Sequence, residues 1–167
     1  MLVASLSLAL VARARPGAKG RFPVMGWNTW CTQNDCGVDW CSGKEVLDVA
    51  QTMKDEGLLA IGYDHILLDD CWGERDNETQ KIVGDPYRFP EGMPSFIAKI
   101  HALGFKFGLY TDIGAAACKK PYAGSFGHYV DDAKTFVALK LTLWAKGKGK
   151  EAGARACTGR LSGTRKY

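Results

Sequence analysis

The sequence predicts an α/β architecture of parallel strands, the first part of a (β/α)8, or TIM, barrel. Three observations predict it. Strand-like apolar segments alternate with amphipathic helical stripes three times between residues 22 and 138, which is the pattern of parallel α/β folds. Ile66-Leu67-Leu68 is a continuous apolar run suited to a strand covered on both faces, and it stops abruptly at Asp69-Asp70-Cys71-Trp72. Carboxylates are tolerated there because burial ends, and the C-terminal ends of parallel strands are where α/β barrels place their chemistry. Finally, a closed barrel takes about 250 residues, so a chain of 167 supplies only about three β/α units of one.

The elements follow in order. Leu2 to Ala12 is an apolar segment of leader length, and Ala12-Arg13-Ala14 fits a small-x-small cleavage site, so residues 1–14 read as a secretory signal peptide. Residues 15–21 are a Pro/Gly/basic linker, and Phe22 to Trp30 reads as the first strand. Ser42-Gly43-Lys44-Glu45 has capping-box form, after which Val46, Val49, Ala50 and Met53 make one helical stripe. Gly57 and Gly62 mark the exit into the second strand, from Tyr63. Glu74 to Gly92, rich in charge, Gly and Pro, predicts a long loop on the active face. Phe96, Ile97, Ile100 and Leu103 form a second helical stripe ending at Gly104, and Phe105 to Tyr110 predicts a third strand. Asp131 is placed to cap a third helix with Ala133, Phe136 and Val137 on its inner face.

Beyond Ala138 the character changes. Residues 139–167 hold eight basic residues and one acid, so this tail carries +7 while residues 1–138 carry −3. An acidic body gives no reason to expect nucleic acid or an anionic membrane as partner, and the tail lacks regular aromatic interleaving. No apolar run is long enough to span a membrane. Cys31, Cys36, Cys41 and Cys71 crowd the first half, and Asn77-Glu78-Thr79 is a glycosylation sequon in a polar stretch. Both features fit an oxidising, secreted or lysosomal/vacuolar destination. Four cysteines allow three pairings, and their spacing selects none.

Asp69 and Asp70 invite an acid/base reading, but successive strand residues point to opposite faces, whereas paired acid/base chemistry needs two carboxyl groups that flank one reacting centre. They are better suited to accepting hydrogen bonds from vicinal hydroxyls. A metal site built from Asp69, Asp70, Asp112 and His65 is the rival, and no ligand spacing supports it. His65 reads as a core or supporting residue; His101 and His128 sit with no Ser or Cys nucleophile.

Met25-Gly26-Trp27-Asn28-Thr29-Trp30, the Asp69-Asp70-Cys71-Trp72 segment, Arg88-Phe89-Pro90, Gly108-Leu109-Tyr110-Thr111-Asp112 and the stretch from Pro121 to Gly127 together resemble the catalytic domain of the family 27 glycoside hydrolases. These are the α-galactosidases and α-N-acetylgalactosaminidases, or melibiases. The resemblance runs from about Phe22 to Ala138 and implies retaining hydrolysis of terminal α-linked galactose in oligosaccharides or glycoconjugates, without a cofactor. It implies that Asp69 and Asp70 hold galactose hydroxyls, that Trp30 walls the sugar pocket and that Tyr110 lines it, while Trp27 is core. It also implies a Cys31–Cys71 bridge with Cys36–Cys41 as a local loop. The family's Lys-x-Asp-x-Cys motif, which carries the nucleophile and the partner of Cys118, is absent, and Cys157 has no implied partner. A shifted reading frame or retained intron after Ala138 is the preferred account of the tail, with a short form as runner-up. The expected product is therefore inactive, the alternative being a non-catalytic galactose-binding or nonfunctional truncated form.

Overall fold

The computed structural model describes residues 24–30, 41–117, 122–141 and, for the backbone alone, 143–146. The signal peptide, the linker, Cys31, Cys36, Cys118 and Cys157 lie outside the described residues. In chain order the elements are β1 (Gly26–Asn28), α1 (Gly43–Asp55), β2 (His65–Leu68), β3 (Gly73–Arg75), β4 (Ile82–Gly84), α2 (Gly92–Leu103), β5 (Lys106–Thr111), α3 (Tyr129–Ala138) and β6 (Leu143–Lys146). A four-stranded sheet runs β1-β2-β5-β6, all parallel, and β3 and β4 form a separate antiparallel hairpin.

The register places Asn28 beside Leu67, Leu67 beside Gly108, and Leu68 beside Leu109. In consequence the ends of β1, β2 and β5 arrive at one rim. Close approach matters at the start of β1, where a Cβ on Gly26 would lie 2.0 Å from the His65 carbonyl oxygen. Ile66 and Leu68 of β2 and Phe107 and Leu109 of β5 are fully buried on one side of the sheet. Against that layer α1 sets Val46, Ala50 and Met53, and α2 sets Met93, Phe96, Ile97 and Ile100. Phe96 meets Phe107 edge-on with ring centroids 5.3 Å apart and Phe89 at 5.1 Å. Each such side chain contributes about 1.5–3 kcal/mol of transfer free energy, so this aromatic and aliphatic layer is what holds α1 and α2 to the strands.

The helix boundaries have local causes. The predicted capping box is present: the Ser42 Oγ accepts from the Glu45 amide at 3.3 Å, and Glu45 Oε2 accepts from the Ser42 amide at 3.0 Å. α2 ends at Gly104 with φ 103°, a left-handed cap that an L side chain resists. No helix among the described residues is long and apolar enough to cross a membrane.

The structure departs from the sequence expectations at four places. The stretch predicted as a loop from Glu74 to Gly92 contains the β3–β4 hairpin, because Ile82 is buried and Arg75 pairs with it across the turn; three-residue strands are too short for alternation to reveal. The sheet also continues past Ala138, since β6 pairs parallel with β5 from Leu143 to Lys146. Asp131 does not cap α3; it lies in the first turn, and Asp132 beside it is 1% exposed. There Arg75 grips Asp132 with two bonds, Nη1 to Oδ1 at 2.6 Å and Nη2 to Oδ2 at 2.9 Å, and also donates to the Gly124 and Gln80 carbonyls. This pairing rotates α3 so that Phe136 is buried while Ala133 is exposed and Val137 is 79% exposed. Last, the bridge joins Cys71 to Cys41, not to Cys31, with Cα atoms 6.1 Å apart. Cys41 is buried immediately ahead of the α1 cap, where helix packing on the sheet brings it to the end of β2.

Three outcomes are expected. Peptide mapping without reduction should recover a Cys41–Cys71 crosslink. In denaturant unfolding, Asp132→Ala should cost about 3–5 kcal/mol by leaving the Arg75 charge uncompensated, whereas Ser42→Ala should cost about 1 kcal/mol.

Candidate active site

The site assembles where the parallel strands end. β1 is continued past its last residue by the Thr29 amide, which donates to the Leu67 carbonyl at 3.1 Å, and the Thr29 Oγ1 accepts from the Asp69 amide at 2.9 Å. Asn28 works in both directions: its Oδ1 accepts from the Trp30 amide at 2.7 Å, and its Nδ2 donates to Asp69 Oδ2 at 3.3 Å. The first contact turns the chain out of the strand and leaves Trp30, 39% exposed, at the rim. The second holds the carboxylate that follows β2.

Asp69 Oδ1 accepts from the Asp70 amide at 2.8 Å. Burial raises the Asp69 carboxyl above its ordinary range, and the bonds from the Asp70 amide and the Asn28 side chain partly oppose that rise. Asp70 is only 2% exposed. Next along the chain, Cys71 forms the bridge to Cys41 and the Trp72 indole donates to the Tyr110 carbonyl at 2.8 Å, while its ring meets Phe136 edge-on at 6.2 Å. The indole thus ties the end of β2 to the end of β5.

On β5 the Tyr110 hydroxyl donates to Asp112 Oδ2 at 3.3 Å, and Asp112 Oδ1 accepts from the Gly114 amide at 2.6 Å. Burial, together with the negative charges of Asp112, Asp70 and Asp69, pushes the Tyr110 phenol far above its ordinary value. The register that pairs Leu68 with Leu109 brings the residues that follow them to the same end of the sheet. Thr111 and Ser125 share a buried hydroxyl contact of 2.9 Å that fastens the following loop beneath Asp112.

Asp69, Asp70 and Tyr110 therefore meet at one rim, with Trp30 at the adjoining end of β1. His65 does not join them. It opens β2 and bonds Asp64 at 2.5 Å, at the opposite end of the strand from Asp69. Among the described residues no group of three or more His, Cys, Asp or Glu is placed to hold a metal ion. Asn77 stands apart on the turn between β3 and β4. Sequence reasoning missed Asn28, Thr29 and Arg75; a strand ending in Asn-Thr is itself a signal, because Asn is depleted in strands. Arg75 and Asp132 had no such signal, being 57 residues apart. A cavity of about 450 Å³ along α3 is lined by Ile113, Phe136, Val137 and Leu141 and reaches Asp112; among the described residues it is an open flank of that helix, and it does not include Asp69, Asp70 or Tyr110.

Chemically, the rim offers carboxylate acceptors, a phenol and an indole face, a combination suited to a polyhydroxylated ring. Comparison with known proteins agrees with this. A family model described as alpha galactosidase A (Melibiase_2) matches residues 22–149. The chain belongs to this α-galactosidase family. Its relatives include alpha-galactosidase mel1 of Schizosaccharomyces pombe, 40% identical over 119 residues, 70% of this chain and 26% of the relative. The alpha-galactosidase of Coffea arabica is 39% identical over 120 residues, 71% of this chain and 31% of the relative. Among solved structures, the Saccharomyces cerevisiae α-galactosidase MEL1 superposes with a TM-score of 0.66 at 33% identity over 74% of this chain and 26% of its own, and an α-galactosidase from S. cerevisiae solved with raffinose likewise gives 0.66 at 33% identity. Alpha-galactosidase I of Mortierella vinacea gives 0.65 at 31% identity, over 74% and 30%. The chain thus spans less than a third of the length of these family members, and its sheet is an incomplete α-galactosidase barrel.

The electrostatics predict a measurable response. By NMR titration the Asp69 carboxyl should ionise above its ordinary value of 3.8, and Asn28→Ala should raise it further by removing a donor to the charged form. The folded state then holds this proton more tightly than the unfolded state. Accordingly the Asp69 contribution to stability is greatest below 3.8 and declines as pH rises through the folded value.

Proposed function

We propose that this segment is the galactose-recognition part of a retaining α-galactoside hydrolase. The observation that carries the proposal is the convergence of Asp69, Asp70 and Tyr110 beside Trp30 at the ends of β1, β2 and β5, in a chain of the α-galactosidase family. Asp69 and Asp70 accept hydrogen bonds from the 4- and 6-hydroxyls of a terminal galactose, and Trp30 lies against the apolar face of its ring. A sugar whose 4-hydroxyl points the other way leaves a buried carboxylate without that donor, which is the strongest form of rejection such a site can apply. The α-linked substrates are oligosaccharides or glycoconjugates of the class represented by raffinose, with which an S. cerevisiae relative has been solved.

Cleavage with retention needs a carboxylate nucleophile and a separate acid/base, one on each side of the anomeric centre. The Lys-x-Asp-x-Cys motif does not occur in these 167 residues, and Glu151 is the sole acid after Asp132. Asp69 and Asp70 are successive residues held as acceptors, so they do not supply the missing pair. Residues 1–167 alone therefore bind and orient galactose without breaking its linkage. The Cys41–Cys71 bridge supports a secreted or vacuolar setting, where such a bond persists.

Purified 1–167 should show no turnover of a chromogenic α-galactoside. In NMR spectra galactose should perturb the resonances of Asp69, Tyr110 and Trp30, glucose should not, and Asp70→Asn should abolish the response. Turnover that disappears in Asp70→Asn, or equal responses to the two sugars, would overturn the reading.

A further inference from the structure

The sequon at Asn77 has no part in the recognition site, and its setting on the structure points to a use of its own. Residues 77–79 form an exposed turn joining β3 to β4. This turn is built without the Asn77 side chain. Asp76 Oδ1 accepts from both the Thr79 amide, at 2.7 Å, and the Thr79 hydroxyl, at 2.6 Å. The Gln80 amide donates to the Asp76 carbonyl at 2.9 Å, the Gln80 Nε2 donates to the Asn77 carbonyl at 3.0 Å, and Gln80 itself takes φ 57° to close the reversal. Among the described residues none hydrogen-bonds to the Asn77 side-chain amide. A bulky group on Nδ2 would therefore displace no contact of the fold and would project from a turn whose flanking ladder residue, Arg75, is itself anchored to Asp132.

We propose that Asn77 is an N-glycosylation site that carries an oligosaccharide on the tip of the β3–β4 hairpin. Two independent observations support it: an Asn-x-Thr triplet whose acceptor nitrogen is exposed and unused by the turn, and a buried Cys41–Cys71 bridge that belongs to the oxidising compartment where such transfer occurs. The co-reactant is a polyprenyl-diphosphate-linked oligosaccharide presented by a lumenal transferase. A bond forms between Nδ2 of Asn77 and C1 of the first sugar as the bond from C1 to the diphosphate oxygen breaks. The polyprenyl diphosphate leaves with that electron pair, and Nδ2 loses one proton, so no oxidant or reductant is required. The Thr79 hydroxyl is the second recognition element, and it is engaged with Asp76 only once the turn has formed. Transfer accordingly precedes closure of the hairpin, after which the glycan stands on a turn that holds its shape unaided.

The test is translation of the full 1–167 chain with endoplasmic-reticulum microsomes, once with its own N-terminus and once behind an established signal sequence, protease protection identifying the translocated molecules. A single upward mobility shift, reversed by peptide-N-glycosidase, is expected for the protected chain. It should be lost in Asn77→Gln and in Thr79→Ala and retained in Thr79→Ser. Urea midpoints of unglycosylated wild type and Asn77→Gln should coincide, because the side chain supports nothing. An unshifted band among protected molecules in the signal-sequence arm would overturn the proposal, as would a shift that persists in Asn77→Gln. This outcome is independent of galactose binding, so either reading can fail without the other.

Discussion

Parallel pairing of β2 between β1 and β5 is the constraint on which everything else depends. It buries Ile66 and Leu68 in register with Phe107 and Leu109, and that apolar contact fixes how far each strand extends before its chain meets solvent. A slip of one residue would turn the apolar set to the other face. It would also separate Asp69 from Asn28 and Trp72 from the Tyr110 carbonyl, the two contacts that join neighbouring strand ends. The site is therefore a consequence of register. Its geometry is set by hydrophobic residues that take no part in its chemistry.

Gathering carboxylates at one rim is opposed by their mutual repulsion and by desolvation, and the structure answers both locally. Asp69 receives an amide and a side-chain amide, and Asp112 receives an amide and a phenol. For Asp69 these donors partly oppose the effect of burial. The Cys41–Cys71 bridge adds a covalent tie across 30 residues, worth about 3.5 kcal/mol by the chain-entropy model. It acts directly next to Asp70. The end of β2 is thereby crosslinked to the start of α1, which adds a covalent restraint beside the hydrogen bonds that hold Asp69.

The strand and helix pattern was legible in the sequence because its causes are local. The capping box at Ser42 and Glu45, the stripes of α1 and α2, and Gly104 all act within a turn or two of themselves. Asp69, Asp70 and Tyr110 were legible as candidates because each ends a predicted strand. What remained hidden depends on contacts between distant residues. The rotation of α3 follows from Arg75 reaching Asp132, and an Asp in a first turn reads from sequence only as a favourable partner of the helix dipole. The Cys41–Cys71 pairing depends on where α1 docks, which spacing does not encode. β6 was obscured for a different reason: the charge and glycine content after Ala138 masks a short strand whose partner, β5, supplies the hydrogen bonds.

α3 shows how the incomplete sheet and its chemistry are connected. One side of this helix is committed: Phe136 lies on Trp72, and Asp132 is locked to Arg75. The other side leaves Ala133 and Val137 exposed along the cavity that reaches Asp112. Between those sides the helix follows directly on the loop that Thr111 and Ser125 secure under the rim. Asp112 both lines that cavity and accepts from the Tyr110 hydroxyl, so it couples the flank to the rim. In a closed barrel that coupling would link completion of the fold to the final placement of the phenol. The apolar flank and the recognition rim are thus two ends of one packed unit, joined through the loop that the Thr111–Ser125 contact holds.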